Sequence, residues 1–172
     1  MIIAISGTPG VGKTYISKKL SKFGLKYFDL NKYIKDKKLY DSYDRKAKTY
    51  DVDIKRLKDT VEPLFKTRHS REIVLDKLLN KTFKTEQLLK ILAKGTLAKH
   101  ELNGIIIDSH LSHHLDSDYC IIIKTDIKNV YHRLKERKYP KDKIQENIES
   151  EIFDICLDEA KAAKRRVIIL EN

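Results

Sequence analysis

Near the start of the chain, Gly7-Thr8-Pro9-Gly10-Val11-Gly12-Lys13-Thr14 follows the spacing glycine, four residues, glycine, lysine, threonine. Glycines at this spacing let successive backbone N–H groups turn inward. A helix opening near Lys13 would point its positive end at the same place, so the pattern predicts a cradle for a chain of phosphates. Lys13 is expected to reach the outer phosphates, and Thr14 to ligate a Mg²⁺ ion that bridges phosphate oxygens. The expected binding stretch comprises Gly7, Pro9, Gly10, Val11, Gly12, Lys13, Thr14 and Tyr15. The bland alternative is a plain strand-to-helix turn.

Asp108 closes an apolar run, where an acid can hold the metal's water shell; capping the next turn is its other reading. His110 follows two residues later and is the candidate to arrange an acceptor or a water. His113 and His114 come next; a zinc site built from the three histidines would need a different geometry and further ligands. Arg133 and Arg137 lie four apart on one helical face, just before Lys138, Tyr139 and Lys143. Such a cluster could close over phosphates, with Arg137 stabilising charge on the transferring group; an exposed face paired with Glu136 is the alternative.

The elements that must carry these residues read as alternating strands and helices. Met1 to Ser6, Gly104 to Asp108, Tyr119 to Lys124 and Val167 to Leu170 are bounded apolar runs without alternation, as in strands covered on both faces; Lys26 to Asp29 is a shorter one. Helical spacing covers Lys13 to Phe23, Asn31 to Lys37, Ile54 to Phe65, Ile127 to Lys138 and Lys141 to Lys164. Tyr40 to Asp53 is a polar connection. The expected fold is α/β, a parallel five-stranded sheet flanked by helices in one domain over residues 1–172. Residues 66–103 do not fit the minimal plan. They carry nine Lys or Arg against four Asp or Glu and two apolar stripes, Ile73/Leu75/Leu78/Leu79 and Leu88/Leu89/Ile91/Leu92, the second from Thr85 to Gly95; this predicts an inserted basic helical pair.

With 41% apolar and 35% charged residues, the composition excludes disorder. No apolar run reaches the roughly 18 residues that a membrane helix needs, and the sequence opens at Met1 on a strand-like stretch without a basic leader and cleavage site. A cytoplasmic protein without a membrane partner is expected. Cys120 and Cys156 read as buried thiols. The net charge of +11 exceeds what one nucleotide site requires, so either a polyanion is a second partner or the surface is simply lysine-rich.

Taken in order, GTPGVGKT, LYDSYDRKAKTYDVD, IIIDSHLSH, RLKERKY and ENIESEIFD resemble the small archaeal adenylate kinases, relatives of eukaryotic adenylate kinase isoenzyme six, the coilin-interacting nuclear ATPase. The resemblance covers about residues 1–65 and 104–160. It implies a P-loop NTPase of the nucleoside-monophosphate-kinase type. ATP would be the donor with Mg²⁺ held by Thr14 and, through water, Asp108, and AMP the acceptor, held by about residues 29–53. A lid at about 136–146 would carry Arg137, and Asp108 with His110 would match an Asp-x-His feature to which nucleotide hydrolysis is ascribed. Catalysis would then rest on Lys13, Arg137, Asp108 and His110. The resemblance also implies an alternative, an ATPase of small-ribosomal-subunit assembly and rRNA maturation, with ribosomal protein uS11 and rRNA as partners. Two departures stand out: Tyr15 replaces a second threonine, and residues 66–103 have no counterpart, so an RNA-facing role for their basic surface is an expectation from charge alone. Which of Tyr40, Asp41, Tyr43, Asp44 and Tyr50 touches the acceptor base stays open.

Overall fold

The computed structural model describes residues 1–65, 73–98 and 103–172, with the backbone alone at 73, 74 and 95–98. Its strands are β1 (Ile2–Ser6), β2 (Leu25–Asp29), β3 (Ser42–Asp44), β4 (Thr49–Asp51), β5 (Thr82–Lys84), β6 (Gly104–Asp108), β7 (Tyr119–Lys124) and β8 (Val167–Glu171). The helices are α1 (Lys13–Ser21), α2 (Leu30–Asp36), α3 (Ile54–Val61), α4 (Ile73–Asp76), α5 (Thr85–Ala98), α6 (Ile127–Glu136), α7 (Lys141–Ile152) and α8 (Ile155–Ala162).

Six strands form one parallel sheet in the order β2-β6-β1-β7-β8-β5. Both faces are covered, which is why the central strands lack alternation. Ile3 and Ile5 of β1 pack with Ile16, Leu20, Ile106, Ile121 and Ile123 on one side. Their neighbour Ile2 faces Leu30, Ile34, Leu57 and Leu115 on the other, and Ala4 meets Leu157 and Ala160 of α8. The register pairs Ile5 with Asp108 and Asp29 with Asp108, so the carboxyl ends of β1, β2 and β6 lie side by side. In a parallel sheet this edge is where loops converge on a ligand.

The parallel α/β architecture is the expected one, with a sixth strand in place of the five anticipated. That strand, β5, lies within the segment read as a helical pair. Thr82-Phe83-Lys84 is too short and polar to signal itself, and it forms only by pairing with Ile169 to Glu171 at the edge of the sheet. Asn80 N–H to Val167 O at 2.8 Å and Ile169 N–H to Lys81 O at 3.1 Å extend the seam. The stripe residues Leu75, Leu78, Leu88 and Leu92 are buried in the main core. The Tyr119 hydroxyl donates to Asp76 Oδ1 at 2.5 Å, and Arg166 pairs with the same carboxylate. Gly95 does not end α5, which runs on to Ala98. Residues 66–72 and 99–102 of the predicted insertion lie outside the described residues.

Three other boundaries moved. The helix expected over residues 141–164 breaks at Asp154, whose φ of 55° leaves the right-handed helical region and whose carboxylate pairs with Lys124. The helix expected to reach Phe65 ends at Val61, because Pro63 has no N–H to continue it, and one 3₁₀ turn follows. The polar connection contains the antiparallel hairpin β3–β4, with Tyr43 stacked on Tyr50 at 4.5 Å and Tyr40 at 4.6 Å.

Candidate active site

β1 is followed directly by the glycine loop, and α1 starts at Lys13 with Gly12 as its left-handed cap. Gly7 has φ 134°, and a Cβ there would stand 2.4 Å from the Ile123 carbonyl oxygen. No other residue fits that turn without moving the neighbouring strand. The loop is clamped from outside. Arg133 Nη1 donates to the carbonyls of Gly10 and Val11, both at 3.0 Å, and Asn172 Nδ2 donates to Val11 O at 2.9 Å. Three hydrogen bonds thus fix the carbonyls of Gly10 and Val11.

Lys13 is half-buried, and its Nζ donates to Gly7 O at 2.6 Å and Thr8 O at 2.9 Å. Desolvation lowers its pKa to about 8, only partly offset by charges such as that of Asp108. Thr14 Oγ1 donates to Asp108 Oδ2 at 2.7 Å, and the Tyr27 hydroxyl donates to the same oxygen at 2.9 Å. The other oxygen, Oδ1, is buried without a partner. Burial raises the Asp108 pKa against the two donated hydrogen bonds, and burial first, then the Asp108 carboxylate, raise that of Tyr27.

His110 opens onto the cleft. Desolvation by the cleft walls first, then the ammonium groups of Lys13 and Lys143, lower the pKa of its imidazole to about 4. His113 is buried, its Nδ1 2.7 Å from Ser6 Oγ and its Nε2 2.9 Å from Glu159 Oε2. Arg137 caps the end of α6 and lines the cleft, as does Lys143 from α7, which pairs with Glu146 at 2.6 Å.

Most of these side chains border one cleft of about 1010 Å³; Ser6 and Tyr27 stand behind its wall. Lys13, Thr14, Asp108, His110 and Arg137 form one part of its wall; Asn31, Ile34, Lys35, Tyr50 and Val52 form another. Of the five acceptor candidates Tyr50 alone lines it among the described residues. Asp41 instead pairs with Arg56 at 2.9 Å, Asp44 Oδ1 closes the hairpin turn onto the N–H groups of Lys46 and Ala47, and Tyr40 and Tyr43 brace Tyr50. Sequence reasoning missed Tyr27, Ser6 and Asn172, whose importance comes from contacts far along the chain. It grouped Arg133 with cations that could close over phosphates; Arg133 lines the cleft with Nη1 on two loop carbonyls.

The chain matches the AAA domain family over residues 3–154. A protein of Methanocaldococcus jannaschii named "Putative adenylate kinase" is 33% identical over 162 residues, 94% of this chain and 72% of that protein. One of the same name from Pyrococcus furiosus is 33% identical over 173 residues, covering 100% of this chain and 75% of its own length. The chain belongs to this family of archaeal kinases. Among the described residues no helix is long and apolar enough to cross a membrane.

Proposed function

We propose that this chain is an adenylate kinase, transferring the γ-phosphate of ATP to AMP and giving two ADP with the help of Mg²⁺. The observation that carries the reading is the Thr14–Asp108 pair, 2.7 Å apart, set between the phosphate loop and a second wall of the same cleft. The names of the archaeal relatives supply the acceptor. Thr14 Oγ1 and the unpartnered Asp108 Oδ1 are hard oxygen donors and suit Mg²⁺, the hydroxyl directly and the carboxylate through water. When bound, the ion would neutralise charge on the phosphate oxygens.

The chain's own residues do the rest by position. The inward amides and Lys13 hold the donor phosphates, and Arg137 reaches the transferring group from the lid side. Ile34, Val52 and Tyr50 offer an apolar slot for a base, with Lys35 over the Tyr50 ring at 5.3 Å. A monophosphate is already anionic near neutral pH, so its oxygen attacks without a general base. Neutral His110 therefore orients the acceptor side and need not take a proton from it.

Incubation with ATP, with and without AMP, tests this. ADP formed only with AMP, and without free phosphate, supports the kinase. Phosphate release that ignores AMP would replace it with a hydrolase, and loss of either activity in Lys13→Ala assigns it to this cleft.

A further inference from the structure

Beside the phosphate-binding site lies a second group of metal-ligating side chains that the proposed kinase reaction does not use. His113 and His114 follow β6, and Glu159 projects from α8. One donor atom from each lies within 4.8 Å of the others. The two adjacent histidines and the distant Glu159 all border the cleft.

One arrangement of hydrogens around His113 leaves a place for a cation. Ser6 Oγ has one hydrogen, and it lies 3.0 Å from the His110 carbonyl oxygen, which can only accept. If Ser6 donates there, its oxygen accepts from His113 Nδ1 at 2.7 Å, so the ring proton sits on Nδ1. The bare Nε2 then faces the Glu159 carboxylate at 2.9 Å. Two acceptors hold that distance only with a positive charge between them.

We propose that His113 Nε2, His114 and Glu159 form a site for a divalent transition metal of the zinc class, with a fourth position open to the cleft. Two imidazoles and one carboxylate are a donor set that borderline divalent ions prefer to Mg²⁺. The support around the site is of the kind such ligands have. Ser6 Oγ, 2.7 Å from the outer nitrogen of His113, holds the orientation of the ring. Arg165 grips both histidine carbonyls, at 3.1 Å and 2.8 Å, while Asp116 at 2.9 Å balances its charge. Donors on one tetrahedral zinc stand ~3.3 Å apart. Glu159, 47% exposed, can open the 2.9 Å contact by a small rotation. A bound ion would fasten the loop after Asp108 to α8 and, through Ser6, to the start of the glycine loop.

Chelator-stripped protein, free of nucleotide and Mg²⁺, is titrated with Co²⁺ and followed by visible absorption and calorimetry. One Co²⁺ per chain is expected, displaced by Zn²⁺ but not by Mg²⁺. His114→Ala and Glu159→Gln should each weaken it at least about tenfold, and Ser6→Ala by about tenfold through the lost support. Lys13→Ala and Asp108→Asn should leave it unchanged, which separates this site from the nucleotide's metal. Absence of binding, as expected if His113 simply donates Nε2–H to Glu159, overturns the proposal. So does binding indifferent to both His114→Ala and Glu159→Gln.

Discussion

Thr14 Oγ1 and Asp108 Oδ2, 94 residues apart in sequence, meet at 2.7 Å where α1 begins and β6 ends. The contact follows from the sheet. Parallel pairing of Ile5 with Asp108 sets the carboxylate level with the end of β1, and the glycine loop returns the chain to the same edge at the start of α1. Tyr27 on β2 then donates to the same oxygen, so three successive strands of the sheet define one acidic position.

That position costs the fold stability. Asp108 is 2% exposed, has an unpartnered oxygen and carries a pKa raised by burial. A carboxyl raised in the fold is favourable below the unfolded value of 3.8 and unfavourable once pH passes the folded value. Asp108→Asn is therefore expected to stabilise the ligand-free protein by about 1 kcal/mol at pH 7, with the gain shrinking as pH falls towards 3.8. Urea unfolding at several pH values checks this. The same variant should lose about 10²-fold or more in kcat, the size of effect seen when one preorganised electrostatic group is removed; a variant both less stable and fully active would refute the role.

Gly7→Ala probes the loop itself. With φ at 134° and a carbonyl oxygen 2.4 Å from the new Cβ, the substitution strains backbone on two strands. A loss of about 2–3 kcal/mol in unfolding free energy is expected, together with loss of ATP binding in equilibrium titration.

Arg133 and Arg137 should separate cleanly. Arg133 donates to two loop carbonyls, so Arg133→Ala is expected to loosen the cradle and mainly raise KM for ATP. Arg137 lines the cleft at the end of α6, and Arg137→Ala should mainly lower kcat, by about 10²–10³-fold. Steady-state kinetics of both variants, with Arg→Lys versions as controls, tests the split.

Much of this site could be read from the chain before its fold. The glycine loop is local, and its spacing alone implies inward amides, Lys13 and Thr14. Asp108 was visible because a buried parallel strand reads as an apolar run ending in one acid. Arg133, Tyr27 and Asn172 were not legible as site supports, since each acts on a partner 81 to 161 residues away and nothing local marks it. β5 was hidden for a similar reason: three residues become a strand only because the edge of β8 supplies hydrogen bonds. The break at Asp154 carries no glycine or proline, so helical periodicity ran straight through it.

Lys13 gives the last expectation, in which binding and stability respond to pH with opposite signs. Its pKa in the fold is about 8, below the model-compound value of 10.5, because desolvation outweighs the neighbouring acids. As pH rises through 8 the ligand-free protein loses this ammonium, and affinity for ADP with Mg²⁺ should fall. Phosphates beside Nζ restore the charged form, so binding between pH 8 and 9 should take up a proton. Calorimetry in buffers of different ionisation enthalpy would read that uptake, and Lys13→Met should lack it. Folding runs the other way. Between 8 and 10.5 the unfolded chain holds more protons at this residue than the fold does, so the Lys13 contribution to stability improves with pH. The difference in unfolding free energy between the wild type and Lys13→Met should therefore shift in favour of the wild type across that range; a flat difference would mean the lysine is not desolvated in the cradle.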